Sequence, residues 1–300
     1  MASAREMRMR IRSVENISQV TRALEAVSAS RVRKAEARVM QTRPYADKAW
    51  QVLRHLARQP AREFVHPLMT PRSDVTRALV VMISSDRGLA GAYNTNVLRY
   101  TLETFENSGV EIGYIPIGRK GRDMLYRRRK DIVAEFSDLP TEPTFADVSA
   151  IGRLTINEYL SGNFDRVYLV FTDFINLLQQ EPHHKQLLPL SFEELPLGGN
   201  RVEVSKAQPG GPEPTYIYEP SQQELIDSIV PRLTELQVYQ AITESLASEH
   251  AARMVAMRNA TDNAADLAGA LRLEYNKARQ QAITSDMLDI AGGAEALSQS

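Results

Sequence analysis

Residues 221–291 read SQQELIDSIVPRLTELQVYQAITESLASEHAARMVAMRNATDNAADLAGALRLEYNKARQQAITSDMLDIA. Apolar residues recur in this stretch at spacings of three and four: Leu225, Ile229, Leu233, Leu236, Tyr239, Ile242 and Leu246, then Met254, Met257, Ala260, Ala264, Leu267, Leu271, Ala278 and Ala282. That period marks one face of an α-helix. Ser221 and Glu224 have capping-box spacing, in which hydroxyl and carboxylate satisfy two orphan backbone donors. Only Gly269 breaks the pattern before Gly292-Gly293, the expected stop. At 1.5 Å per residue such a helix reaches roughly 100 Å, several times the diameter of a compact domain. Its own domain cannot bury it, so it needs a partner helix, a sleeve of other subunits, or both. Pro231 removes one backbone hydrogen bond near its start and predicts a kink there, with a straight run from about Leu233 to Ile290.

The N-terminus supplies a matching element. Ser3 and Glu6 repeat the capping-box spacing, followed by Met7, Ile11, Val14, Ile17, Val20, Leu24 and Val27. The helix can continue past Val32, Ala35 and Val39 to Pro44, which either kinks or ends it, and a further helical stretch covers Tyr45 to about Ala57. Met1 to Arg43 holds ten Lys/Arg against four Glu, about +6, whereas 221–291 holds six against ten Asp/Glu, about −4. Opposite charge favours pairing of the two ends. The seams are rich in small residues (Ala23, Ala29, Ala35; Ala260, Ala264, Ala278, Ala282), which lets backbones approach closely and keeps a coiled coil thin.

Between the helices the period changes. Ala78–Ile83, within Arg77–Ser85, is a continuous apolar run of strand length, as expected of a strand buried on both faces. A glycine-containing loop, 86–93, leads to a helix over about Asn94–Asn107. Then follow a strand at Val110–Ile117, a basic helix at Gly121–Lys130, a strand at Ile132–Phe136, a helix at Phe145–Leu160 and a strand at Arg166–Phe174. Strands alternating with helices indicate an open, mostly parallel α/β sheet. After Leu190 periodicity is lost through Gly198, Gly199, Pro209, Gly210, Gly211, Pro212 and Pro214. The expected fold is α/β: a long antiparallel coiled coil of N- and C-terminal helices with an inserted Rossmann-like domain. The expected divisions are a helix at 1–60, the α/β domain at 75–190, a connector and foot at 191–220, and a helix at 221–291.

Composition narrows the chemistry. The chain has 300 residues, 24% charged and 43% hydrophobic, with net charge −1 and no cysteine. That is the make-up of a soluble globular protein; disulfides, thiolate metal sites and cysteine nucleophiles are excluded. Neither a signal peptide nor a run of about 18 apolar residues is present. The loop after the first strand lacks a P-loop's Gly-Lys-Ser/Thr and the three-glycine spacing of a dinucleotide fold. Asp86 stands at a strand's C-terminal end without a histidine or second acid in sequence, and is read as an ion-pairing or surface-contact group. His183-His184 would point to opposite faces of a strand, which opposes metal ligation. Arg127-Arg128-Arg129-Lys130 suits a solvated helix end, or else binding of phosphate groups or an acidic surface. The N-terminal arginines have no interleaved aromatics before Tyr45, so a single-strand nucleic-acid platform is missing. The residues point to no catalytic, cofactor or metal site.

Three segments go further. Arg10-Ile11-Arg12-Ser13-Val14-Glu15-Asn16-Ile17-Ser18-Gln19-Val20-Thr21-Arg22-Ala23-Leu24, the loop Ser84–Asn96, and Ser248–Ala264 continued by Tyr275–Thr284 resemble the gamma subunit of rotary F-type ATP synthases, in the family's order and spacing. The resemblance implies a non-catalytic central shaft, one copy per complex. Its partners are three alpha and three beta subunits, an epsilon subunit and the membrane c-ring, with neither nucleic acid nor membrane insertion. It implies that proton-driven c-ring rotation is coupled to conformational change at the beta-subunit sites that make ATP. Contacts with the catalytic ring are expected from Arg279, Gln280 and Thr284, with Leu24 and Arg253 besides. Asp86, Arg87 and Ala90 resemble a loop near the base of a beta subunit, and Tyr218 and Glu219 a foot on the c-ring. Absence of cysteine and of a redox insertion implies a bacterial type without thiol regulation, peripheral on the cytoplasmic side of the plasma membrane. A second reading is a coiled-coil scaffold whose α/β head binds a small ligand.

Overall fold

A computed structural model of the chain describes residues 4–58, 66–190 and 222–298. The chain divides into two compact units, Met1–Ser28 with Met254–Ser300, and Ala29–Arg253. Helix α1 spans Ala4–Arg58, β1 Arg77–Ile83, α2 Tyr93–Phe105, β2 Glu111–Ile117, α3 Arg119–Arg127, α4 Phe145–Leu160, β3 Arg166–Phe174, β4 Gln180–Leu188 and α5 Gln222–Ser298. The capping residues Ser3 and Ser221, and the foot residues Tyr218 and Glu219, lie outside the described residues.

In the larger unit the strands form one sheet in the order β2-β1-β3-β4. β1 is parallel to both β2 and β3, and β4 returns antiparallel on β3. Alternate side chains of β1 enter different cores. Leu79, Val81 and Ile83 join Ile151, Leu169, Phe171, Leu233 and Ile242, on the face covered by α4 and the first half of α5. Val80 and Met82 join Val97, Leu102, Phe105 and Leu125, under α2 and α3. Burial on both faces is why β1 reads as an unbroken apolar run, and each such side chain contributes roughly 1.5–3 kcal/mol. Thr144 and Asp147 close a capping box at the start of α4, which fixes where that helix begins. The crossover from β2 to α3 turns at Gly118, with φ +99. A side chain there would strike the Ser84 carbonyl oxygen at 2.5 Å.

In the smaller unit the two long helices pair antiparallel. Thr21 Oγ1 meets Thr261 Oγ1 at 2.7 Å, and Glu15 pairs with Arg272. The inward positions of α5 are Met257, Thr261, Ala264 and Ala268, all buried, followed by half-buried Leu271, Tyr275 and Ala278. Those of α1 include Val14, Ser18, Thr21 and Ser28. Both series step by four and three, the repeat of a coiled-coil seam.

Several sequence expectations need correction. Ile17, Val20 and Val27 are 51%, 59% and 48% exposed, so these three of the expected apolar stripe of α1 turn outward, while Met7, Ile11, Val14 and Leu24 are half-buried and the hydroxyls of Thr21 and Ser28 face in. The hydroxyl stripe is tolerated because Ser28 donates to the Leu24 carbonyl, and Thr21 and Thr261 share their bond to each other with the carbonyls of Ile17 and Met257, so each of these three buried hydroxyls has an acceptor. Leu267, also placed on the seam, is exposed. Pro44 lies inside α1, fusing the two helices expected on either side of it. Pro231 lies within α5, which continues on both sides of it, and buried Ile226, Val230 and Leu233 anchor the chain on both sides of the missing hydrogen bond. Gly292-Gly293 does not stop α5; glycine costs a helix about 1 kcal/mol relative to alanine, a penalty and not a prohibition. Residues 132–136 form only isolated bridges to β2, because Pro116 in β2 has no amide to donate to a ladder. β4 is absent from the sequence reading.

Candidate partner-contact site

The loop after β1 is fixed from within. Asn94 Oδ1 accepts from Ser85 N at 3.0 Å, and Ser85 Oγ donates to Arg87 O at 2.6 Å. Asp86 is half-buried, its oxygens accepting from the amides of Arg119 at 3.0 Å and Asp138 at 3.1 Å. It therefore ties together the loops that follow β1, β2 and the 131–136 segment. Arg119 in turn bonds Asp138 at 2.7 Å. Ala90 is buried and Leu89 is exposed, the latter at φ +64. The loop thus presents Arg87 and Leu89 outward on a base held by Asp86 and Ala90.

Arg253 of α5 lies against this loop. Only 8% of it is exposed. Its Nη2 donates to Glu249 Oε1 at 2.6 Å and to the Gly88 carbonyl at 3.3 Å; Nε reaches the same carbonyl at 3.3 Å. Nη1 donates to His250 Nδ1 at 3.3 Å, which requires that nitrogen's lone pair and so a neutral imidazole. Burial, with Arg253 and Arg31 nearby, lowers the His250 pKa to about 4. Burial raises that of Glu249, against the pull of Arg253. Tyr93 donates to Ser245 O at 3.3 Å, and burial pushes its hydroxyl pKa up. A cleft of about 320 Å³ remains, lined by Arg31, Asp86, Arg87, Arg119, Glu249 and Arg253 among others. It opens beyond the carboxyl ends of β1 and β2, where the sheet's connections diverge and α/β folds often bind ligands. Here α5 lines one side of that crevice with Ile242, Ser245 and Leu246.

The residues expected to touch partners fall into two groups. Asp86, Arg87, Ala90 and Arg253 come together in the larger unit, although Arg253 and Ala90 are buried and act by holding the loop. Leu24, Arg279, Gln280 and Thr284 belong to the smaller unit. Leu24 is half-buried, and the other three are exposed, as is every residue of 279–292. Thr284 Oγ1 donates to the Gln280 carbonyl at 2.9 Å, which places the two on one face. Sequence reasoning missed Glu249, His250 and Arg31; the spacing of Glu249 and Arg253 by one helical turn was a usable signal. Glu142 was missed too: it accepts from Lys34 at 3.3 Å and from Arg38, fastening the 140s loop to α1. His183 lies against Phe171 and His184 against Phe105 and Tyr168, on opposite faces of the sheet as expected, and His184 bonds Tyr100 at 2.7 Å. No cluster suited to a metal ion occurs among the described residues.

The family model described as ATP synthase matches residues 3–297. A gamma chain of ATP synthase from Herpetosiphon aurantiacus is 44% identical, covering all of both chains. One from Dehalococcoides mccartyi is 42% identical over 99% of this chain and all of the relative. The chain belongs to the ATP synthase gamma family. Solved structures of similar fold include Euglena gracilis mitochondrial ATP synthase, OSCP/F1/c-ring (TM-score 0.66, 21% identity, 98% and 94% of the two chains). Another is the central stalk/c-ring of Tetrahymena thermophila mitochondrial ATP synthase (TM-score 0.59, 22% identity, 80% and 99% covered).

Proposed function

We propose that this chain is the central rotor shaft of an F-type ATP synthase, non-catalytic itself, that couples proton-driven c-ring rotation to the conformations of the beta-subunit catalytic sites. It works with three alpha and three beta subunits, an epsilon subunit and the c-ring, peripheral on the cytoplasmic face of a bacterial plasma membrane. No helix among the described residues is long and apolar enough to cross a membrane. The observation that carries the reading is the bare end of α5. Ile283, Met287, Leu288 and Ile290 are 47%, 65%, 67% and 73% exposed. A helix that shows large apolar side chains on several faces is built to be surrounded by other proteins.

Turning such a surface past three beta subunits biases each in turn toward the conformation that best fits the face it meets, a population shift driven by rotation. Arg279, Gln280 and Thr284 supply polar contacts within the ring and Leu24 an apolar one. Arg87 reaches a beta subunit from the head, on a loop held by Asp86, Ala90 and Arg253. Tyr218 and Glu219 rest on the c-ring. The test is co-purification from membranes with three alpha and three beta subunits, together with absence of ATP turnover by the isolated chain. Turnover by the pure chain refutes the non-catalytic role.

A further inference from the structure

A second, smaller cavity of about 20 Å³ adjoins the cleft described above, and Arg31, Thr141, Leu246 and His250 wall both. All four belong to the larger unit. His250 is 5% exposed. Its Nδ1 faces Arg253 Nη1 at 3.3 Å, and a guanidinium can only donate, so the imidazole proton sits on Nε2. Among the described residues that N–H has no acceptor. A buried donor bordering a cavity without an acceptor marks a place for one. Thr141, in the loop before α4, is exposed, and its hydroxyl is likewise unengaged among the described residues.

The surrounding charge decides what the acceptor is. Six basic and four acidic side chains border the two cavities. Every acid is already engaged. Asp86 accepts from two backbone amides and lies 3.9 Å from Arg119 Nε, Asp138 bonds Arg119, and Glu249 bonds Arg253. Glu142 is shared by Lys34 and Arg38. Among the described residues the side chains of Arg31 and Arg87 hold no ion pair. Arg87 is exposed on the outside of its loop, whereas Arg31 is half-buried and near enough to His250 and Glu249 to bias the titration of both. An uncompensated guanidinium, a buried N–H and a hydroxyl therefore adjoin one another, with a surplus of positive charge around them. Water would satisfy the imidazole and leave the guanidinium unpaired. An anion with several oxygens answers all three groups.

We propose that Arg31, Thr141 and His250 form a binding site for a small tetrahedral oxyanion, inorganic phosphate, which bridges α1, the loop before α4 and α5. Its oxygens accept from the Arg31 guanidinium, from Thr141 Oγ1 and from His250 Nε2. An ion that binds only the folded chain stabilises it, so this clasp tightens as phosphate concentration rises. The site lies wholly within the larger unit and does not depend on the rotor role proposed above.

The test is calorimetric titration of the full chain with sodium phosphate, chloride holding the ionic strength constant. Low millimolar phosphate avoids the general stabilisation that such salts give when concentrated. One saturable site is expected, weakened about tenfold or more in Arg31→Gln and several-fold in Thr141→Val. A second readout follows the parent protein alone, with 15N-labelled histidine. The Nε2–H resonance that is missing in His250→Gln should shift along the same saturation curve, which keeps the proposal testable even if Arg31→Gln does not fold. Absence of saturable binding leaves water as the occupant and overturns the proposal. So does a folded Arg31→Gln that binds like the parent, or a His250 resonance that phosphate does not move. ADP carries the same phosphate chemistry; if it binds more tightly than phosphate and moves the same resonance, the site belongs to a nucleotide and the inorganic ion is overturned.

Discussion

His250 occupies a place where an imidazolium would meet Arg253 on its own helix and Arg31 on α1, with Glu249 already engaged by Arg253. Burial is the largest cause of its lowered pKa, about 4 against an ordinary 6.5. Between those values the unfolded chain binds more protons than the folded one, so stability is full above about pH 6.5 and falls as pH drops through about 4. Glu249, raised by burial, acts in the opposite sense, so the difference between parent and variant isolates the histidine. His250→Gln should lessen the acid loss between pH 7 and pH 4.5 by about 2 kcal/mol, measured by urea unfolding at both values. Equal losses in parent and variant refute this. Asp165 is the reverse case. Its carboxylate accepts from Thr76 N at 2.9 Å, Arg77 N at 3.1 Å, Thr76 Oγ1 at 3.0 Å and Arg72 Nη1 at 3.1 Å. The two backbone amides, chiefly, hold its pKa well below the usual carboxylate range. Its stabilisation is present above about pH 4 and is lost as pH falls below that. Asp165→Asn removes the charge facing the start of β1 and should cost about 1–3 kcal/mol at pH 7 by calorimetry.

Among the elements, the paired hydroxyls of the seam make a measurable unit. With one proton each, one of the Thr21 and Thr261 hydroxyls donates to the other and the acceptor donates to its own helix, so Thr21→Val and Thr261→Val each lose the one bond they share. The double variant should cost less than the sum of the singles, with a coupling of about 0.5–1.5 kcal/mol in a double-mutant cycle. Additive losses would show that the pair does not interact. The same seam shows what sequence pattern can and cannot reveal. β3 and α4 were legible to the residue, since both stand between clear turn signals and bury most of what they carry. β4 was not: Gln180, Glu181, His183, His184 and Lys185 give an edge strand no apolar alternation until Leu187. On α1 the helix was legible but its inward face was not, because periodicity locates an apolar stripe without saying what covers it. At the site, Asp86 and Arg87 stood out in a glycine-bearing loop and Glu249 stood one helical turn from Arg253, while Arg31 gained meaning only when folding brought it near His250.

For the whole molecule, the bare end of α5 separates stability from assembly. In the free chain Ile283, Met287, Leu288 and Ile290 lie largely in water, so deleting Arg279–Ser300 removes little buried area and should cost the larger unit, Ala29–Arg253, almost nothing. Its calorimetric transition should stay within about 2 °C of the parent, since a shift of a few degrees corresponds to about 1 kcal/mol in a domain this size. Once covered by partners, each of those side chains contributes roughly 1.5–3 kcal/mol. The shortened chain should therefore assemble with alpha and beta subunits more weakly, and any complex it forms should couple rotation to ATP chemistry less tightly. Light scattering on the isolated proteins supplies the complementary reading, because exposed apolar surface promotes self-association; the shortened chain should remain monomeric at concentrations where the full chain does not. If the deletion lowers the transition of the larger unit while leaving assembly intact, the end of α5 belongs to the chain's own fold and not to the ring around it.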